Sequence, residues 1–563
     1  MTKKMPAGGT WSEESFSTAL SWVKECKEDR VRHRECAKIQ EVRHVESDAD
    51  GAFLPSRLIE VRGSKKNVHI RLREKQHMTG DEQYMTLSHC WGKPSSKSIK
   101  LTQDNLASFL MGIDHCILPR TFQDAVQVIQ IFDINFLWID ALCIIQDSRE
   151  DWLTESASMA DVYANSFLNI AATAAVDSQS GLFQTPTRQV PEDVIDISTS
   201  WSGDLAAGQY VCYGMELFES EVDRSPLCQR AWVVQEREMA PRVLHFTKNH
   251  LIWECSCSAA IDALPVGLHR QVNPKRNQAG LYDTPSLNQS AGLSPYQYWA
   301  SLVRQYAAGQ LTHSSDKLVA ISALAQSTMR LLRSKGCEDT YLAGLWKNDL
   351  VIGLLWCTNN LDPRRSAEGV RVSSETPLPS WSWANIHDAQ IWYPNQENFD
   401  DVVLGQTNPS VTIIEARTFP LTSEFGTVNG GILRLKGTLC KVNVPRDNSL
   451  KHWIINGSAP SQRYGLRVMW DLRYDVRGPI EDLVFMSIRR NVSGTLQGRV
   501  EGILLSRTLK REGQYTRVGR LDLRFGEDHK FVVDNIKIWS SMNMPVEFYE
   551  RNHGNGEYTV SII

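Results

Sequence analysis

The residues best suited to chemistry follow two apolar runs in the first third of the chain. Ser88, His89 and Cys90 end the first run, and Asp140 follows the second, Phe136–Ile139. If the runs are neighbouring parallel strands, a hydroxyl, an imidazole, a thiol and a carboxylate meet at one sheet edge, where ligands bind in open α/β folds. The sequence therefore predicts a reaction site there, with His89 and Asp140 as catalytic groups. The alternative is that the cysteines pack in the core and Asp140 caps a helix.

Further polar residues lie among apolar ones at positions 230–236. Buried polar groups need partners, so Arg230 is expected to pair with Glu236 or Asp140, and a clamp on a ligand is the alternative. A nucleophilic thiol paired with His89 is disfavoured, because adjacent side chains on a strand point to opposite faces. The residues predicted to bind a substrate are Ser88, Cys90, Trp91, Gly92, Trp138, Arg230, Gln235 and Glu236.

Cys26, His33 and Cys36 have a spacing found in metal sites, and His33 and Cys36 would share one face of a helix. A structural zinc ion needs a fourth ligand, which the local sequence does not show. Packing is therefore the predicted use of these residues. No metal site and no stoichiometric zinc are expected. Cys255 and Cys257 are a weak second pair for the same reason.

The elements that must position these groups alternate between strand and helix. Pro119 opens a helix whose apolar residues fall on one face, and Trp152–Tyr163 is predicted to be a second helix. The apolar run Phe167–Ala175 is predicted to be a third strand. This order predicts a parallel sheet with right-handed crossovers. Two apolar runs around Lys248-Asn-His250 then predict a β-hairpin.

The chain divides into four predicted regions. Residues 1–50 form a helical segment, 51–260 the α/β domain, 261–400 a mostly helical connector, and 401–563 a β-rich C-terminal domain. The connector begins with a predicted linker, Asn273–Ser294, and the C-terminal region contains predicted strands such as Ile432–Leu439 and Phe531–Trp539.

Composition excludes several classes of protein. The 563 residues carry 61 basic and 65 acidic side chains, without a basic run interleaved with aromatics, so nucleic acid is not an expected partner. No secretory signal and no membrane-spanning run is recognised, and the 12 cysteines lack the dense spacing of a disulfide scaffold. A cytoplasmic protein without membrane contact is expected. No phosphate-binding loop, kinase set, zinc-protease motif or nucleophile elbow is recognised.

Three blocks, at Tyr84–Gly92, Leu137–Asp147 and Arg230–Glu236, occur in the order and with the residues of one known family. They resemble the HET (heterokaryon-incompatibility) domain of filamentous fungi. The resemblance implies a protein of non-self recognition that triggers cell death when genetically different hyphae fuse. Trp381-Ser-Trp383 and Leu342–Trp346 resemble segments common downstream of this domain.

The start of the predicted helix, Trp152-Leu-Thr-Glu155, resembles the corresponding helix start in TIR (Toll/interleukin-receptor) domains, whose glutamate serves NAD cleavage in the active members. This comparison implies a TIR/flavodoxin-like sheet, NAD as a possible substrate and Glu155 as a catalytic residue. A carboxylate beside the ribose would stabilise an oxocarbenium-like state. The alternative is that Glu155 only complements the helix dipole.

The sequence thus predicts a HET-domain protein that acts by NAD hydrolysis and binds an incompatible partner protein or oligomerises with itself. No firm cofactor is implied. Two other functions remain open: a non-catalytic signalling module, and a secondary-metabolite enzyme acting on a hydrophobic small molecule.

Overall fold

The structure is a computed structural model, and the chain divides into two compact units, Met1–Leu293 and Ser294–Ile563. The described residues are 12–39, 53–64, 67–93, 99–183, 194–199, 208–214, 216–268, 294–311, 313–359, 371–372, 377–387, 389–393, 408–421, 423–443, 454–455, 465–471, 482–492, 498–525 and 544–563. Most of the predicted linker Asn273–Ser294 and the predicted strand Phe531–Trp539 lie outside these residues. The four-region division stays a prediction.

The N-terminal unit combines helices with one large sheet and one separate hairpin. Its α-helices are α1 (Glu13–Glu28), α2 (34–39), α3 (Leu106–Met111), α4 (Arg120–Ile131), α5 (Asp140–Cys143), α6 (Arg149–Ala164) and α7 (Ala231–Met239). Its strands are β1 (Arg57–Ser64), β2 (Asn67–Glu74), β3 (Tyr84–Ser88), β4 (Phe136–Trp138), β5 (Asn169–Ala171), β6 (Val194–Thr199), β7 (Gly208–Tyr213), β8 (Arg242–Phe246), β9 (Leu251–Cys255) and β10 (Ala259–Ile261).

The large sheet has eight strands in the order β10-β9-β8-β5-β3-β4-β1-β2. Strand β3 pairs in parallel with β4 and β5, and β5 pairs in parallel with β8, which confirms the predicted parallel core. The outer strands β1, β2, β9 and β10 pair antiparallel. The sheet is therefore mixed, because two hairpins extend the parallel core on either side.

Helices α1 and α4 form because their apolar residues recur at helical spacing and their ends are satisfied. In α1 the N-cap Ser12 accepts a hydrogen bond from Ser15 N, and the buried stripe ends at Cys26. Helix α4 follows Pro119, as predicted, and buries most of the face that contains Phe122. Both helices therefore present one apolar face for packing in the N-terminal unit.

The C-terminal unit begins with helices and ends in strands, as the sequence predicts. Its α-helices are α8 (Pro295–Ala308), α9 (Ser322–Ser334) and α10 (Leu350–Gly353). Its shorter strands are β11 (Tyr341–Leu342), β12 (Leu345–Trp346), β13 (Cys357–Asn359), β14 (Arg371–Val372), β15 (Ile386–His387), β16 (Gln390–Trp392), β17 (Asn408–Pro409), β20 (Ile454–Ile455) and β25 (Arg551–Asn552). The longer ones are β18 (Val411–Pro420), β19 (Val428–Asn443), β21 (Gly465–Trp470), β22 (Leu483–Val492), β23 (Gly498–Arg507), β24 (Gln514–Phe525) and β26 (Glu557–Ile562).

The long C-terminal strands close on themselves. Strand β22 pairs with β23, β23 with β24, β24 with β26 and β26 with β19, and a further β19–β22 pairing completes the ring. Apolar side chains such as Phe485, Leu504 and Leu521 form a core cluster among these strands. Within this ring each strand pairs on both sides, so the ring itself has no exposed edge.

The two downstream segments that resemble those of HET proteins contact each other in the C-terminal unit. Trp383 Nε1 donates to the carbonyl of Gly344 at 2.8 Å, and Ser382 Oγ donates to the carbonyl of Ala343. Gly344 has φ +100°, and a Cβ there would lie 2.6 Å from Trp383 Nε1. These segments therefore serve packing.

Among the described residues, no helix combines the length and apolarity that crossing a bilayer requires.

Candidate functional site

Strand order places a topological switch point between β3 and β5, which is where open α/β sheets bind ligands. Along the sheet the four parallel strands run β4, β3, β5, β8. Strand β3 comes first in the chain, and the next two strands, β4 and β5, lie on opposite sides of it. This is the flavodoxin-like order, in which connections leave β3 and β5 in opposite directions and ligands bind beyond their carboxyl ends. His89 and Asp140 both follow strands at this edge.

His89 and Asp140 are brought together, as the sequence predicts. Their Nδ1 and Oδ1 atoms are 3.6 Å apart, and the Asp140 side chain retains 21% of its exposure while His89 retains 1%. Trp91 Nε1 donates to Asp140 Oδ2 at 2.8 Å, and its ring lies nearly parallel to that of His89. Asp140 also accepts from Ala141 N at 2.7 Å. The carboxylate is thus fixed, and one part of it faces outward.

Burial decides the charge of His89. Burial outweighs the opposing charge of Asp140 and, with a smaller contribution from Arg230, lowers the pKa of His89 to about 4. The imidazole is therefore neutral near pH 7. Its ring packs edge-on against Phe122 at 4.9 Å between centroids. Among the described residues, His89 Nε2 has no hydrogen-bond partner. A buried polar atom without a partner is costly, and such atoms concentrate at functional sites.

Strands β3 and β5 are joined by side chains as well as by backbone. Asn169 Nδ2 donates to Ser88 Oγ at 3.1 Å, and Thr86 Oγ1 donates to Asn169 Oδ1 at 3.1 Å. These three residues are buried at the point where the sheet reverses its winding. Ser88 is therefore held in a structural network, and its hydroxyl is shared with Asn169. Sequence reasoning missed Asn169, because its only signal was an asparagine inside an apolar strand.

Helix α7 brings the third sequence block to the same edge. Arg230, its half-buried N-cap, donates through Nη1 to the carbonyl of His89. Tyr163 OH donates to Glu236 Oε2 at 3.0 Å. Burial raises the pKa of Glu236, while Arg230 and a hydrogen bond from Ser88 oppose this. Arg230 thus acts on Glu236 electrostatically, while its guanidinium hydrogen-bonds the backbone of the loop that follows β3.

Among the other residues predicted to bind a substrate, Trp138 and Gln235 are packed in the interior and Gly92 lies in a loop. Trp138 is fully buried and packs edge-on against Tyr163, and Gln235 is buried within α7. Gly92 has φ +77°, and a Cβ there would lie 2.5 Å from Asp177 Cβ. Gly92 is needed because two loops approach each other closely.

The thiols at this edge are protonated. Burial raises the pKa of Cys90, with a smaller opposing effect from Arg230. Burial also raises the pKa of Cys143 to about 12. The thiolate is the nucleophilic form, so these environments oppose thiol catalysis.

Glu155 lies in α6, and its contacts point toward β1. Its side chain is buried, and Oε1 lies 3.7 Å from Arg57 Nη2. Arg57 also hydrogen-bonds Asp151 and the carbonyl of Cys143, the latter at 3.0 Å. Burial raises the pKa of Glu155, while a hydrogen bond from Ser56 and the charge of Arg57 oppose this. Glu155 makes no hydrogen bond or ion pair with His89 or Asp140 among the described residues. Arg57 was missed because it precedes all three blocks.

The three N-terminal candidate metal ligands acquire a fourth from a distant strand. Cys255, the last residue of β9, joins Cys26, His33 and Cys36 so that all four ligand atoms lie within 4.8 Å of one another. The fourth candidate ligand thus comes from tertiary contact rather than from the local sequence, and the expected absence of zinc stays a prediction. Cys255 was noted in the sequence only as part of a weak pair.

The strand order defines a mixed α/β domain, and the residues at the carboxyl ends of its parallel strands form a candidate ligand site at the switch point of the sheet. Residues 84–236 match the family model described as Heterokaryon incompatibility protein (HET). The chain therefore contains a HET domain, and the matched range begins at β3 and ends within α7. No curated protein and no solved structure matches the chain.

Proposed function

We propose that this protein acts in fungal non-self recognition, where its HET domain triggers cell death in the cytoplasm after recognition of an incompatible partner or after self-assembly. The match of residues 84–236 to the HET family carries this proposal. The proposed effector chemistry is hydrolysis of NAD at the switch point beside β3, without a further cofactor.

Asp140 is the proposed carboxylate that faces the substrate. Cleavage of the bond between nicotinamide and ribose develops positive charge on the sugar, and a fixed carboxylate stabilises that charge. Asp140 is positioned by Trp91 and keeps part of its surface open. The neighbouring His89 is buried and neutral near pH 7, so it does not cancel the negative charge. The half-buried guanidinium of Arg230 supplies a cation for the phosphates of the same substrate.

The contacts of Glu155 favour a supporting role for this residue. Its carboxylate lies beside Arg57, which also pairs with Asp151, so positioning of the loop that follows β4 accounts for its burial. We therefore place Glu155 in the support of the site and Asp140 in contact with the substrate. The TIR-like reading, with Glu155 as the catalytic carboxylate, makes the opposite prediction.

The experiment measures nicotinamide release from NAD by the purified full-length protein, with and without enforced oligomerisation. Asp140→Asn keeps the shape of the side chain but removes its charge, and should lower the rate about 10²- to 10³-fold. Glu155→Gln should retain most of the rate. Glu150→Gln, an exposed change in the same helix, is the matched control. The same variants expressed in a fungal host should show the same ranking in toxicity.

Two results would overturn parts of this proposal. Loss of activity in Glu155→Gln with full activity in Asp140→Asn would return the catalytic role to Glu155. A wild-type protein that kills cells without NAD cleavage in either assembly state would remove the enzymatic reading altogether.

The second candidate is a non-catalytic signalling module, and one observation favours it. Polar groups at the strand edge are paired internally: Tyr163 bonds Glu236, Trp91 bonds Asp140, and Arg230 bonds the His89 carbonyl. Such pairing stabilises a fold without requiring a substrate. For this function, enforced oligomerisation should cause cell death while cellular NAD stays constant, and Asp140→Asn should remain toxic.

A further inference from the structure

A cluster of sulfur and imidazole groups lies within the N-terminal unit, away from the contacts of the strand edge described above. Cys26 ends the buried stripe of α1, His33 lies in the following turn, Cys36 is in α2, and Cys255 ends β9. All four side chains are buried. Their ligand atoms lie within 4.8 Å of one another. Four convergent donors from separate elements are what a structural metal ion requires.

The distances match a single tetrahedral ion. His33 Nδ1 lies 3.8 Å from Cys36 Sγ and 3.5 Å from Cys255 Sγ. With zinc–sulfur bonds of about 2.3 Å and zinc–nitrogen bonds of about 2.0–2.1 Å, a tetrahedron has sulfur–nitrogen edges of about 3.6 Å. The same geometry gives sulfur–sulfur edges of about 3.8 Å. The side chains therefore already surround a volume of the right size.

The chemistry of the donors favours zinc. Three thiolates and one imidazole suit zinc better than calcium or magnesium, which prefer oxygen ligands. Cysteine binds metal as the thiolate and histidine as the neutral imidazole, so binding of the ion at these four side chains should release protons.

Ordinary packing explains this cluster less well. Cys90, Cys143 and Cys440 are also buried, but they belong to no such group of convergent ligands among the described residues. Cys257 is a fifth neighbour, since its Sγ lies 3.5 Å from Cys36 Sγ. It is only partly buried and falls outside the set of four. A Cys36–Cys257 disulfide is therefore the competing use of these thiols.

We propose that Cys26, His33, Cys36 and Cys255 bind one structural zinc ion, which fastens the N-terminal helices to the sheet of the HET-containing unit. Two contacts already place α1 against this region: Trp22 Nε1 donates to the carbonyl of Pro265 at 2.9 Å, and the Trp22 ring lies 6.2 Å from that of Trp253. With four protein ligands, the ion keeps no open position for a substrate, so its role is structural. This site is independent of the chemistry proposed at the strand edge.

The first test is elemental analysis of the full-length protein purified without chelators, which should contain about one zinc per chain. Cys255→Ser and His33→Ala should lose that zinc. His33→Cys should retain it, since four thiolates also form a zinc site. Cys440→Ser, a buried cysteine change in the other unit, and Cys257→Ser should both retain it. Because Cys255→Ser and His33→Ala risk misfolding, the wild-type protein is also loaded with Co²⁺ and examined for the absorption bands of tetrahedral thiolate coordination.

Three outcomes would overturn the site. They are a wild-type protein without stoichiometric metal or cobalt bands, well-folded Cys255→Ser and His33→Ala proteins that keep the zinc, and a Cys36–Cys257 disulfide found by mass spectrometry in protein purified under reducing conditions.

Discussion

Two clusters of polar side chains in the N-terminal unit differ in whether their polar atoms face one another or are left open. At the strand edge, Asp140 keeps 21% of its side chain exposed, and His89 Nε2 has no hydrogen-bond partner among the described residues. In the cysteine–histidine cluster, four buried ligand atoms turn toward one another. A site that acts on a ligand must leave a group open, whereas a structural metal site closes completely. The first arrangement is therefore suited to function and the second to stability.

Metal removal should give the largest effect and would test this contrast directly. A strong zinc chelator should lower the melting temperature of the wild-type protein by about 10 °C or more, because metal binding and folding are coupled. Asp140→Asn without chelator should melt within about 4 °C of wild type, because the asparagine can still accept from Trp91. Circular dichroism melts and elemental analysis of the same samples check both statements. An unchanged melting temperature after proven metal loss would contradict a stabilising role.

The buried imidazole at the strand edge should make stability depend on pH. The folded-state pKa of His89 is about 4, below the unfolded value of about 6.5, so the unfolded chain binds the proton first as pH falls. Stability from this residue is therefore complete above about pH 6.5 and is lost as pH falls toward about 4. The maximum loss is about 3 kcal/mol.

Urea unfolding of wild type and of His89→Gln across this pH window measures the contribution. The buried carboxyl groups of Glu155 and Glu236, whose pKa values are raised by burial, act in the opposite direction in both proteins. The difference between the two pH profiles therefore isolates His89. Parallel profiles would show that His89 is protonated equally in the folded and unfolded states.

The smallest effect is expected at Glu155. Glu155→Gln should change the free energy of unfolding by about 1 kcal/mol or less at neutral pH, because Arg57 keeps its closer partner Asp151 and the amide can still accept from Ser56. Chemical denaturation against Glu150→Gln measures this change. A loss of several kcal/mol would mean that the Arg57–Glu155 pair, rather than Arg57–Asp151, holds this part of the fold.

The central strands and the polar edge were predictable because short-range patterns control them. The apolar run Tyr84–Ser88 and the residues after it specify a strand that ends at His89, and Asp140 follows its own strand in the same way. Two parallel strands that pair directly must bring these ends together. Arg230 also lies at this edge, but its hydrogen bond to the His89 carbonyl was not predicted from the sequence.

The sequence by itself determined the parallel core, the hairpin at β8 and β9, the helix α1 and the HET domain, because periodicity and contiguous blocks encode each of them locally. Only the tertiary structure decided the partner of Glu155 and the fourth member of the cysteine–histidine cluster. Arg57 reaches Glu155 from β1, outside the parallel core, and Cys255 lies 222 residues from His33 along the chain. Spacing along a sequence cannot report such pairs, because chain folding, rather than local pattern, sets the distance between their side chains.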